Sequence, residues 1–169
     1  LLTMVGSFLT ALNIVKEKEV GTIEQINVTP IRKHHFILGK LIPFWVLGLF
    51  VLTLGLLVGR VIYGIVPLGN IALIYLFAAI YLPAILGLGL LVSNISQTQQ
   101  QAMLLSFFLM MIFILMGGLY TSIDSMPHWA QVVTWFNPVT YFIEVMRMVV
   151  IKGSGFNDIK GHLGVIALF

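Results

Sequence analysis

The stretch from Leu41 to Val66, LIPFWVLGLFVLTLGLLVGRVIYGIV, decides the class of fold. Its one charge is Arg60, and apolar residues fall on every side of a helix drawn through it. Such a helix has no polar face to show to water, so lipid must be its solvent. About 20 apolar residues cross the hydrocarbon layer as an α-helix. Working outward, Ile71 to Val92 and Ala102 to Leu119 are runs of the same kind. The breakers Pro67-Leu68-Gly69-Asn70 make a tight turn before the first of these, and the uncharged polar stretch Ser93 to Gln101 separates the two. Residues 1–15 and 161–169 are apolar but too short to span unaided. They read as parts of helices in a chain cut at both ends. The expected fold is all-α: a polytopic transmembrane helical bundle forming one domain over 1–169. Its spans are expected near 1–15 (partial), 41–66, 71–92, 102–119 and 161–169 (partial).

Composition agrees. Hydrophobic residues make up 59% of the 169, charged residues 9%, and mean hydropathy is +1.05; soluble domains carry about a quarter of their residues as charges. There is no cysteine, so disulfides and thiolate metal sites are excluded. The net charge of +3 is small, and no basic stripe with exposed aromatics is present, which argues against nucleic-acid binding. No catalytic or metal site is expected. The spans hold no Asp or Glu, and His34, His35, His128 and His162 fall on different sides of the membrane. Gly39-Lys40 is followed by Leu41 and lacks the upstream glycine of a phosphate-binding loop, so the chain itself should bind no ATP. A membrane-embedded enzyme is disfavoured by the lack of intramembrane acids. A non-ATP-driven transporter or channel stays open, with Arg60 as its one ionisable span residue. Arg60 is read either as snorkelling to the headgroups or as lining a pathway.

Basic residues set the orientation. Lys16, Lys18, Arg32, Lys33 and Lys40 crowd the loop 16–40, whereas Ser93 to Gln101 and Pro67 to Asn70 carry no Lys or Arg. Segment 120–160 spreads Arg147, Lys152 and Lys160 over a long, partly acidic stretch. The loop 16–40 is therefore expected in the cytoplasm and 120–160 outside. The outer segment, with Trp129, Trp135 and Tyr141, suggests an aromatic interface belt with two short amphipathic helices, Pro127 to Phe136 and Pro138 to Ile151. Glu144 and Arg147 lie on one face of the second, and Gly117-Gly118 offers a hinge.

Two further patterns are local. Gly55 and Gly59, with Gly48 on nearly the same face, form a small-xxx-small pattern for close helix packing, within the chain or across a dimer. In the loop, Thr22 and Gln25 match a capping box. Thr29-Pro30 ends that short helix and starts another. Val20, Ile23 and Ile26 make an apolar stripe opposite Glu19 and Glu24, as in a helix lying flat at the membrane surface. An ordinary solvated loop held near anionic lipid is the alternative.

The run Lys16-Glu17-Lys18-Glu19-Val20-Gly21-Thr22-Ile23-Glu24-Gln25-Ile26-Asn27-Val28-Thr29-Pro30, followed by Gly39-Lys40, resembles the permease subunits of type-2 ATP-binding cassette (ABC-2) exporters. Gly117-Gly118, Met126-Pro127-His128-Trp129, Asn137-Pro138, Glu144 and Arg147 follow in the order usual there. The resemblance implies a chain running from partial helix 2 to partial helix 6 of six. It also implies a coupling helix, with Glu17, Glu19, Gly21, Thr22, Glu24, Gln25, Thr29 and Pro30 contacting a separate ATP-binding subunit that holds ATP and Mg. A second permease copy, as homo- or heterodimer, a surround of membrane lipid and residence in the bacterial inner membrane are implied with it. The cargo is expected to be a drug or lipophilic compound, because the span walls are apolar.

Overall fold

A computed structural model describes residues 2–21, 33–120 and 123–169. Among them the regular elements are helical: α1 (Leu2–Glu19), α2 (Lys33–Tyr63), α3 (Ile71–Ile95), α4 (Gln99–Met116), a 3-10 turn (Ile123–Ser125), α5 (His128–Thr134), α6 (Pro138–Val150) and α7 (Phe156–Leu168). The all-α expectation holds. Within α2, α3 and α4, the segments His35–Tyr63, Ile71–Ile95 and Gln99–Met116 are long and apolar enough to cross a membrane.

Several helices start earlier than apolarity suggests. α2 begins at Lys33 rather than Leu41, so the basic end of the loop is already helical. α4 begins at Gln99 because Thr98 caps it, its hydroxyl accepting from the Gln101 N–H at 3.3 Å. α7 begins at Phe156 rather than Gly161, where the Asp158 carboxylate accepts from the Gly155 N–H at 3.2 Å. At the starts of α4 and α7 polar residues thus satisfy N–H groups that have no partner within the helix.

α3 is the centre of the bundle. Ile74, Phe77, Ala78, Tyr81, Leu82, Ile85 and Leu86 are buried, and α1, α2, α4, α6 and α7 all pack on α3. α1 approaches it through small residues. A Cβ placed on Gly89 would lie 2.7 Å from the Ser7 carbonyl oxygen and 3.0 Å from the Thr10 Cβ, and one on Gly6 would lie 3.3 Å from Ile85. Thr3 and Tyr81 share a buried hydrogen bond of 2.8 Å. The order of these contacts makes α1 and α3 parallel.

Pro83 has no N–H to give to the Ala79 carbonyl four residues back. That carbonyl instead accepts from the Trp45 indole of α2 at 3.0 Å. In the bilayer, where water cannot replace the missing bond, this ties α2 to α3. Gly48 packs against Leu82 beside it, but a Cβ placed on Gly55 or Gly59 would meet nothing within 4 Å. Packing of those two glycines within the chain is therefore not what the structure shows. The close helix contact lies between α1 and α3 instead.

α5 and α6 form within two residues of the short helices expected at Pro127 to Phe136 and Pro138 to Ile151, and α6 packs against α3. Phe142 stacks on Tyr81 with ring centroids 4.6 Å apart, Val145 and Val149 are buried, and Gly69 N–H donates to the Val149 carbonyl at 3.0 Å. Its apolar positions Val139, Phe142, Val145 and Val149 follow helical spacing and make the stripe by which it packs on the core. Trp129 and Trp135 remain exposed.

Gly89→Ala should lower the thermal midpoint in detergent by the equivalent of about 1–3 kcal/mol, the usual cost of forcing an extra methyl into a packed seam. Gly55→Ala should not lower it. Equal effects would contradict the α1–α3 seam.

Candidate functional site

Of the proposed partner-contact residues, Glu17, Glu19 and Gly21 are described; Thr22, Glu24, Gln25, Thr29 and Pro30 lie outside the described residues. α1 runs on through the charged run Lys16-Glu17-Lys18-Glu19 and stops at Gly21. That residue takes φ +78° and donates its N–H to the Lys18 carbonyl at 3.1 Å. A left-handed glycine closing a helix in this way turns the chain out of α1.

Successive residues on a helix point about 100° apart. The last turn of α1 therefore fans its charges onto three neighbours. Glu17 forms an ion pair with Lys40 of α2, whose ammonium also donates to the Asn13 amide oxygen at 3.3 Å and lies 5.7 Å over the Phe36 ring. Lys18 donates to the Ser93 carbonyl and lies 3.5 Å from that of Asn94, at the end of α3. Glu19 accepts from the Gln99 backbone N–H at 2.8 Å and from its side-chain amide at 2.5 Å, at the start of α4. Each charge has the sign its helix end calls for: a cation at the free carbonyls of α3, an anion at the free N–H groups of α4. The bonds from Gln99, side chain first and backbone second, hold the Glu19 carboxyl below its ordinary range.

Glu17 and Glu19 thus belong to the end of α1 and make contacts within the chain, Glu17 to Lys40 and Glu19 to Gln99. α1 lasts until Glu19, about one turn beyond the first lysine, and carries both carboxylates with it. Lys18 and Lys40, read from the sequence as basic loop residues, and Gln99, which nothing in the sequence singled out, complete the cluster.

At the other end of the bundle, Asn137 caps α6, its side-chain oxygen accepting from the Val139 N–H at 3.0 Å, with Pro138 at the first helical position. Its amide donates to the Phe113 carbonyl of α4 at 2.8 Å. Gly117 packs beside that carbonyl, where a Cβ would approach to 2.8 Å, and Gly118 takes φ +76°. Glu144 and Arg147 share a face but reach different partners. Glu144 meets His162 of α7 at 2.9 Å, and Arg147 points at the Gly118 carbonyl, 3.5 Å away. A cavity of about 290 Å³ opens between them, lined by Glu144, Arg147, Met148, Lys152 and His162. Among the described residues no group of His, Asp or Glu is placed to hold a metal ion.

Comparison with known proteins places this architecture. The family model described as "ABC-2 family transporter protein" matches residues 1–169. The chain belongs to the ABC-2 transporter family. Together with its apolar helices, this makes it a multi-pass membrane protein. It is similar to the "Probable multidrug ABC transporter permease YbhR" of Escherichia coli, 33% identical over 96% of this chain and 45% of that protein. The "Inner membrane transport permease YhhJ" of the same organism is 30% identical over 92% of this chain and 42% of its own length. The "Linearmycin resistance permease protein LnrN" of Bacillus subtilis is 22% identical over 100% and 43%. The ABC-2 chain described here spans under half the length of these relatives. No solved structure matches it.

Thermal stability should register the Glu19 cap. A carboxyl held below its ordinary range stabilises the fold above that range and loses its effect as pH falls through its lowered value. The midpoint gap between wild type and Glu19→Gln should therefore hold at neutral pH and close in acid. A gap that widens in acid would contradict the cap.

Proposed function

We propose that this chain is the core of a permease subunit of an ATP-driven ABC exporter in a bacterial inner membrane. Energy would come from a separate ATP-binding-cassette subunit carrying ATP and Mg, and a second permease copy would complete the pathway. The observation that carries this reading is the match of the whole of residues 1–169 to the ABC-2 family. The concentration of basic residues in 16–40 supports placing that end of the bundle in the cytoplasm, where such a subunit would be found.

Force would enter through the segment that follows Gly21. With Glu17 and Glu19 engaged internally, Thr22, Glu24, Gln25, Thr29 and Pro30 remain as the contacts of the coupling helix. ATP binding would close two cassette subunits and move these segments, switching the permease between inward and outward openings. A drug or lipophilic compound is the cargo most compatible with the span surfaces. Their polar side chains are partly spent on one another, as in the 2.8 Å bonds of Thr3 to Tyr81 and Thr53 to Tyr75. The relatives whose names mention multidrug transport and linearmycin resistance point the same way.

Full-length protein purified alone should hydrolyse no ATP and should gain hydrolysis on assembly with an ATP-binding-cassette subunit. Hydrolysis by the isolated protein would overturn the reading. Reversing charge at Glu24 should weaken capture of the cassette subunit, measured by pull-down, while thermal stability of the permease stays unchanged. Undiminished capture would remove Glu24 from the contact.

A further inference from the structure

The end of α1 does more than hand the chain to a loop. Lys18 and Glu19 are neighbours of opposite charge, and they grip the two sides of the turn joining α3 to α4. Lys18 holds the last carbonyls of α3, and Glu19 holds Gln99, the first residue of α4, by two hydrogen bonds, one from its backbone N–H and one from its side-chain amide. The turn between them is tied internally as well: Ser96 Oγ donates to the Val92 carbonyl at 2.8 Å, and the Gln97 N–H donates to the Gln101 side-chain oxygen at 3.0 Å. These contacts link residues 75 to 80 positions apart in sequence. They lie at the point where α1 gives way, through Gly21, to the segment assigned above to the partner.

We propose that Lys18 and Glu19 are positioning residues that lock the α3–α4 turn to the end of α1, so that α1, α3 and α4 move as one body when the segment after Gly21 is displaced. The inference rests on the permease reading above. Three features support it. The α1–α3 seam is too close to slide without lifting Gly89 off Ser7. The two charges complement opposite helix ends, so neither can exchange places with the other. Finally, Gln99 is bound through both backbone and side chain, which fixes the direction of α4 as well as its position. α2 is joined to α1 differently, by the single ion pair of Glu17 with Lys40 and the adjoining Asn13 contact. Motion would thus reach α4 directly through its own first residue.

The test uses full-length permease assembled with its cassette subunit in nanodiscs, with native cysteines removed. Single spin labels are placed at the exposed positions Val20 or Gln100, and distances between the two permease copies are read without nucleotide and after ATP–vanadate trapping. In the otherwise unmodified complex both labels should shift. With Glu19→Lys, the shift at Val20 should persist and the shift at Gln100 should be lost, with trapped nucleotide unchanged. Glu19→Gln, which keeps an acceptor for the Gln99 N–H, should restore the Gln100 shift. If Glu19→Lys fails to assemble, the pair Lys18→Met and Glu19→Ala carries the same expectation. A Gln100 shift that survives these changes would overturn the clamp. A complex that traps no nucleotide, or shows no shift at either label before any clamp substitution, would instead overturn the permease reading.

Discussion

Two helices can associate in lipid only by close contact and hydrogen bonding, because hydrocarbon solvates an apolar face as well as another helix does. The seam between α1 and α3 meets that constraint, and the rest of the bundle depends on it. Gly89 lets the backbone of α3 reach Ser7 and Thr10, and Thr3 bonds Tyr81. This register brings the last turn of α1 level with the last turn of α3. Only then can Lys18 reach the carbonyls of Ser93 and Asn94, and Glu19 reach Gln99. At the opposite end, Tyr81 is also the surface on which Phe142 stacks, so the placement of α6 rests on the same part of α3.

The bundle solves the problem of unpaired backbone groups one at a time. Pro83 leaves a carbonyl without its helical partner, and Trp45 supplies a donor. The start of α4 has free N–H groups, and Thr98 and Glu19 accept from them. The start of α6 has Asn137. Each solution also joins one helix to another or fixes the start of one, so the groups that satisfy the backbone are the groups that set the architecture.

The spans are legible in the sequence because length and apolarity suffice for a lipid-solvated helix. The start of α6 at Pro138 likewise follows from residue type and position. What the chain alone hides is which helix meets which. Gly55 and Gly59 advertise close packing, yet a glycine pair says only that an approach is open, not that a neighbour takes it. The partners actually used, Ser7 and Thr10 against Gly89, lie on a helix too short and too polar to stand out. Likewise Glu17 and Glu19 read as loop charges because four charged residues in a row resemble the end of a span. Their internal partners, Lys40 and Gln99, are 23 and 80 residues away, distances over which local pattern carries no information.

The most direct measurement is a pair of structures of the full-length permease with its cassette subunit, without and with bound nucleotide. The account predicts that the segment after Gly21 touches the cassette subunit in both, and that Glu19 stays on Gln99 and Lys18 on the end of α3 while the group α1, α3 and α4 changes its position relative to the second copy. A cassette subunit docked elsewhere, or an α1 that parts from the α3–α4 turn on nucleotide binding, would contradict it.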